Sequence, residues 1–241
     1  MSYEIKTDVH THTIASDHAY STLMENVWYA KKIGLEMIGM TDHGPDLVDA
    51  PHEYFFSNLS AVPREIEGVR ILRGAEANII DYQGNLDIKP EALKKLDLVI
   101  ASLHEYVLVP GTVEQHDNVW RNIAQNPLVD LIGHSGQASY RYSYEEIIPI
   151  FGQYNKIVEI NSHSPAARKG SYENCVKIAA LCKRHGVNIA VNSDAHICFE
   201  VGKHDMAKQI LEEVDFPEEL IVNQTAERLL NFLKEKKNIR F

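Results

Sequence analysis

The chain of 241 residues is long enough to bury a substantial core, as one large α/β domain or two small ones. At 44% hydrophobic and 24% charged residues it has the make-up of a globular enzyme and is too apolar for a disordered chain. A formal charge of −10, with no basic run longer than the "KEKK" near the C-terminus, argues against a nucleic-acid surface, which needs a basic stripe.

The opening "MSYEIKTDV" is strand-like and lacks the basic and apolar regions of a signal peptide. No apolar stretch approaches the ~20 residues that a membrane span needs. Cys175, Cys182 and Cys198 form no CxxC pair and no disulfide framework, and the first two share a helix face as core residues. Together these features predict a cytoplasmic protein with no membrane partner; a homo-oligomer stays open.

In chain order, a first strand is predicted over 4–10 and a helix over 22–33, with Ser21 or Thr22 capping it and Gly34 ending it. A second strand over 36–43 precedes a helix over 57–67, and the aromatic triplet Tyr54, Phe55 and Phe56 between them reads as packing. A third strand over 69–77 runs into a hairpin over 78–88, turning at Gln83-Gly84-Asn85. Strands over 96–104, 129–135, 156–163 and 188–196 then alternate with helices over 116–125, 143–153, 171–185 and 203–213. Ser171 is expected to cap one of these helices, and "TAERLLNFLKEKK" (225–237) forms a terminal helix behind Thr225.

Most of these strands are continuous Val, Ile and Leu runs, as parallel strands covered on both faces should be. Regular βα order without linker or repeat allows a parallel barrel or an open doubly wound sheet. The polar residues favour the barrel. The predicted strand ends carry His10 and His12 (with His18 in the loop behind), His43, Glu76, His104, His134, and Asp194 with His196. In a barrel these ends ring one mouth, whereas an open sheet spreads them along an edge.

Packing such a set together without a cation leaves buried polar groups unpaired, at roughly 1–3 kcal/mol each. Metal binding is therefore the expected role. Imidazoles with a carboxylate minority suit zinc, with manganese or iron as alternatives, and the set is about right for three divalent ions with one shared carboxylate. His10 and His12, two apart on a strand, point the same way and can share an ion. Paired ions can hold a bridging hydroxide and clamp both oxygens of an in-line displacement, which favours hydrolysis of phosphate esters. Outside the set, His52, His116, His185 and His204 read as solvated, and His163 is undecided.

"DVHTHT", "TDHG", "RGAEAN", "LHE", "IGHSG" and "NSDAH", in this order, resemble the PHP (polymerase and histidinol phosphatase) superfamily of metal-dependent phosphoesterases. The longer strings "RKGSYENC" and "VDFPEE…NQTAERLLNFL" are most similar to its YcdX-type phosphatase branch. The resemblance spans the whole chain. It implies one domain over 1–241, a distorted TIM-like (β/α)7 barrel with a trinuclear metal site at the C-terminal ends of the strands. It implies one ion at His10, His12, Glu76 and Asp194, a second at Glu76, His104 and His134, and a third at His18, His43 and His196. Two positions depart from the family pattern: Ser135 stands where relatives carry proline, and His163 where a smaller residue is expected.

The expected reaction is hydrolysis of a small phosphorylated metabolite, with Glu76 bridging two ions and Asp194 on the first. Arg168 and Lys169 are the expected phosphate clamps, since guanidinium meets phosphate bidentately. Asp42, beside His43, is a candidate acid for the leaving oxygen or, better, a brace for a ligand imidazole. Asp8 reads as a brace of the first strand, Asp17 as a turn residue, and Ser16 has no assigned role. Three rivals remain: a histidinol-phosphate phosphatase, a binuclear amidohydrolase-like enzyme, and a non-catalytic metal-binding module. The set His18, His43 and His196 has no use in a binuclear site.

Overall fold

The computed structural model describes residues 3–234 and 237. Its strands are β1 (Thr7–Asp8), β2 (Met37–Met40), β3 (Glu65–Ile66), β4 (Val69–Asn78), β5 (Leu98–Ser102), β6 (Leu131–Ile132), β7 (Ile157–Asn161) and β8 (Ile189–Asn192). They pair in the order β1-β2-β4-β5-β6-β7-β8, all parallel, with β3 antiparallel on β4. This is a nearly closed seven-stranded parallel barrel, a distorted TIM-like fold. Around it lie α1 (Leu23–Ile33), α2 (Tyr54–Ser57), α3 (Pro90–Leu93), α4 (Val113–Gln125), α5 (Tyr144–Gln153), α6 (Ser164–Ala167), α7 (Ser171–His185), α8 (Asp205–Glu213) and α9 (Ala226–Lys234). Among the described residues no helix is long and apolar enough to cross a membrane.

The barrel interior is layered by the two-residue period of its strands. Its floor is apolar, with Met37, Leu72, Leu98, Leu131, Ile157 and Ala190 packed on Ala226, Leu229, Leu230 and Leu233 of α9. That helix closes the end where the strands begin, and its first amide donates to Glu36 just before β2. Two residues further along three strands come glycines, because the strands approach too closely for side chains there. A Cβ on Gly74 would stand 2.7 Å from the Leu98 carbonyl oxygen, and one on Gly39 or Gly133 would strike Val9 or Ser102. Above this constriction the inward positions turn polar.

The seam between β8 and β1 is closed largely by side chains rather than by a ladder. Among the described residues the ladder there is reduced to one isolated bridge, Thr11 to Ala195. Below it the Asn192 side chain accepts from Val9 N–H at 3.0 Å. Asn223 accepts from Val191 N–H at 2.9 Å and donates to the Val191 carbonyl at 2.7 Å, while its own carbonyl takes the Thr7 hydroxyl at 2.6 Å.

Several local expectations are corrected. The first strand covers only Thr7–Asp8, and His10 and His12 lie just beyond it. The helix expected over 57–67 is replaced by α2, a 3-10 turn at Leu59–Ala61 and β3. Pro63 cannot continue a helix, and Glu67 and Gly68, both at positive φ, form the two-residue turn that joins β3 to β4. The helix expected over 116–125 starts earlier, at Val113, behind a Thr112 capping box. Ser171 is not a cap. Gly170 occupies that position at φ 77°, and the Ser171 hydroxyl donates to the Ser164 carbonyl. Phe56 is core, while Tyr54 is exposed. The hairpin over 78–88 forms as expected, with Gly84 at φ 77°. In the terminal helix, residues 235 and 236 lie outside the described residues.

Asn223→Ala should strip the seam of buried partners and destabilise the fold by about 2–4 kcal/mol in urea denaturation. A loss below about 0.5 kcal/mol would show that the seam is held by other contacts.

Candidate metal centre

The nine residues expected as ligands lie together at the mouth of the barrel. Glu76, two residues before the end of β4, is fully buried. His10 Nε2 stands 3.4 Å from Glu76 Oε2 and 3.5 Å from Asp194 Oδ1. His12 Nε2 lies 3.6 and 3.2 Å from the same two oxygens. Four donors bonded at about 2.1 Å in a tetrahedron stand about 3.4 Å apart, so these separations suit one shared cation. On the other side of the carboxylate, Glu76 Oε1 is 3.3 Å from His104 Nε2 and 2.8 Å from His134 Nε2. His18 Nε2 lies 3.2 Å from His43 Nε2 and 3.0 Å from His196 Nε2, a third cluster of imidazole nitrogens. His43 also reaches across, with Nδ1 2.7 Å from Glu76 Oε2. Atoms of His12, His43 and His196, of His10, His12 and Glu76, and of His43, Glu76 and His104 each come close enough to hold an ion.

The donor chemistry fits a divalent cation. His10 Nε2, His104 Nε2 and Glu76 Oε2 are buried without a hydrogen bond, although each faces the cluster. Burial, then the neighbouring rings His43 and His196, push the His12 pKa well below the usual histidine value. Burial brings His43 down to about 4, and it also lowers His134 and His196. These rings are therefore neutral at pH 7 and keep the lone pair that a cation needs. The carboxylates stay ionised: burial would raise Glu76 and Asp194, but the rings beside them, His10 foremost, hold both well below the ordinary carboxylate range. Burial also opposes a charge on His10, yet Glu159, Glu76 and Asp194 outweigh it and raise that pKa well above the usual value. Two of the nine residues hold backbone that L-residues rarely adopt, His134 at φ 23° and Asp194 at φ 57°. Such strain persists where the surroundings over-determine it.

Several supporting groups had no signal in the ligand pattern. Glu159, in the middle of β7, lies 2.7 Å from His10 Nδ1 and accepts from His134 N–H at 2.8 Å. Asn78 Oδ1 is 2.6 Å from His104 Nδ1, and the Asn78 amide donates at 2.6 Å to Asp87, whose pKa burial raises to about 6. Asp49 stands 2.5 Å from His18 Nδ1. A glutamate inside the otherwise apolar run "IVEIN" is the one legible hint among these, since a buried charge demands partners.

Other expectations shift. Asp42 does not touch an imidazole. Its carboxylate, raised to about 6 by burial, accepts from Thr13 N–H at 2.8 Å and from the Thr13 and Ser16 hydroxyls. Ser16 in turn accepts from His43 N–H at 3.2 Å, so both residues brace the ligand-bearing loops. Arg168 reaches the site, with Nη2 3.3 Å from Asp194 Oδ2, whereas Lys169 is exposed. Asp8 braces β1 by accepting from Ser193 and from Gly202 N–H. His116 and His204 are buried, contrary to expectation: His116 lies between the Arg141 carbonyl and Gly111 N–H, and His204 packs 3.8 Å from Asp8. The His163 ring stands at the rim, 6.4 Å from that of His196. Ser135 is buried against the Tyr142 hydroxyl at 3.1 Å.

Residues 8–163, more than half of the chain, match the model of the PHP domain. The chain belongs to that family. A probable phosphatase of Clostridium novyi (strain NT) is 47% identical over 234 residues, covering 97% of this chain and 96% of its own. A probable phosphatase of Caldanaerobacter subterraneus subsp. tengcongensis is 45% identical over 239 residues, covering 98% and 94%. Among solved structures, histidinol phosphate phosphatase from Lactococcus lactis subsp. lactis Il1403, complexed with zinc, L-histidinol and phosphate, shares the fold. Its TM-score is 0.62 at 19% identity, over 88% of this chain and 94% of that one.

Removing the Asn78 side chain frees the His104 ring. Asn78→Ala should weaken zinc binding about 10–100-fold in competition with a chromophoric chelator. An unchanged affinity would mean that His104 needs no such support.

Proposed function

We propose that this chain is a metal-dependent phosphatase that hydrolyses phosphate monoesters of small metabolites in the cytoplasm. The carrying observation is the approach of five imidazoles, from His10, His12, His43, His104 and His134, to one buried carboxylate, Glu76, at the mouth of a PHP barrel. The probable phosphatases among its relatives support the reaction class. His10, His12, Glu76 and Asp194 would hold a first ion, Glu76, His104 and His134 a second, and His18, His43 and His196 a third. The imidazole-rich set favours zinc, with manganese or iron as alternatives. Divalent ions there supply Lewis acidity, lowering the pKa of water and neutralising charge on a phosphoryl group.

The chain's own groups do the rest. Glu76 and Asp194 remain ionised and give the site the negative charge that draws cations in. Arg168, poised on Asp194 at the rim, offers its guanidinium to an arriving phosphate, which competes with that carboxylate for the same donors. Lys169, exposed one residue further on, contributes only to encounter. Asp42 braces the Thr13–Ser16 loop by accepting from Thr13 and Ser16. The whole chain works as one unit, because α9 plugs the barrel whose opposite end carries the site.

Purified without chelator, the protein should carry about three divalent ions per chain and hydrolyse phosphomonoesters. About two ions per chain would favour the amidohydrolase-like reading. Glu76→Ala and His43→Ala should each lower kcat about 10³-fold, while Arg168→Ala chiefly raises KM, about 10–100-fold. A full metal complement with no turnover of any phosphomonoester would end the phosphatase reading.

A further inference from the structure

Glu159 lies outside the proposed ion-holding set, yet its carboxylate is saturated by four donors. Oε1 takes His10 Nδ1 at 2.7 Å and the Asn192 amide at 2.9 Å. Oε2 takes His134 N–H at 2.8 Å and the Asn161 amide at 3.1 Å. The side chain has no solvent exposure. An ionised carboxylate only accepts, so every group facing it must donate. Once the ring is neutral, as cation binding requires, His10 carries its one proton on Nδ1 and leaves the Nε2 lone pair facing Glu76 and Asp194.

We propose that Glu159 is a positioning residue: anchored by the His134 amide, it fixes His10 in the Nδ1–H tautomer and so aims Nε2 into the ion site. This rests on the reading of the mouth as a metal centre. The anchor cannot adjust, because a backbone N–H has one proton and no alternative role. The Asn192 amide is also constrained, since its oxygen already takes Val9 N–H at the seam. Of the four donors, the His10 ring alone can exchange donor for acceptor at little cost, by moving its proton to Nε2. Its tautomer is therefore the quantity that Glu159 controls.

Glu159→Gln separates this role from packing, because it keeps the shape and removes one acceptor oxygen. The remaining carbonyl should stay with the His134 amide and the new NH2 should face His10, turning that ring to the Nε2–H form. Long-range 1H–15N spectra of the metal-free protein, recorded at a pH high enough that the ring has lost its second proton, should show His10 as Nδ1–H in the wild type and Nε2–H in the variant. In the zinc-reloaded chain, competition with a chelator should show the first ion weakened about 10–100-fold while the ion at His18, His43 and His196 keeps its affinity. An unchanged His10 tautomer, equal weakening of all ions, or a variant unfolded at saturating zinc would overturn the proposal. If the wild type takes up none of zinc, manganese or iron, the reading of the mouth as a metal centre fails, and the tautomer measurement still decides the role of Glu159.

Discussion

The structure turns on one buried carboxylate. Five imidazoles, from His10, His12, His43, His104 and His134, approach Glu76 at 2.7–3.6 Å. An isolated carboxylate in such a place would be driven neutral by the loss of water. Here the surrounding rings keep it charged, while their own burial keeps most of them uncharged. The arrangement is self-consistent only if every ring is held at its angle, and much of the fold serves that end. The glycine layer narrows the barrel so that inward side chains from different strands meet above it. Asn78, Asp49 and Glu159 each hold the far nitrogen of a ring.

What the sequence reveals about such a site depends on how the information is stored. Residues at strand ends are legible because the strands announce themselves as apolar runs and the period of two fixes which side chains face inward. His43, Glu76 and His104 are all of this kind. Supporting groups are harder to see, because an Asn or Asp does the same local work in a turn, a cap or a seam. Asp49 sits in an irregular loop, and only the approach of His18 gives it meaning. His116 and His204 looked solvated because their partners, the Arg141 carbonyl and Asp8, lie far off in sequence and carry no pattern of their own.

The barrel itself was legible from βα order and from the convergence that its polar residues require. Its irregularities were not. The first strand is two residues long because Val9 to His12 are already committed to the mouth and the seam. The helix expected before β4 failed on ordinary turn chemistry, with Pro63 inside it and Glu67-Gly68 after it. Both errors arise where a local signal competes with an apolar run that fits either state.

The closing of the seam by Asn223 bears on the order in which the molecule is made. The last strand ends at residue 192, but Asn223, bonded to both Val191 and Thr7 across the seam, comes 31 residues later, and the helix that fills the floor later still. The two halves of the site, His10 with His12 and Asp194 with His196, lie on either side of that seam. The meeting of the two halves of the mouth thus depends on a residue and a helix that follow every strand in the chain.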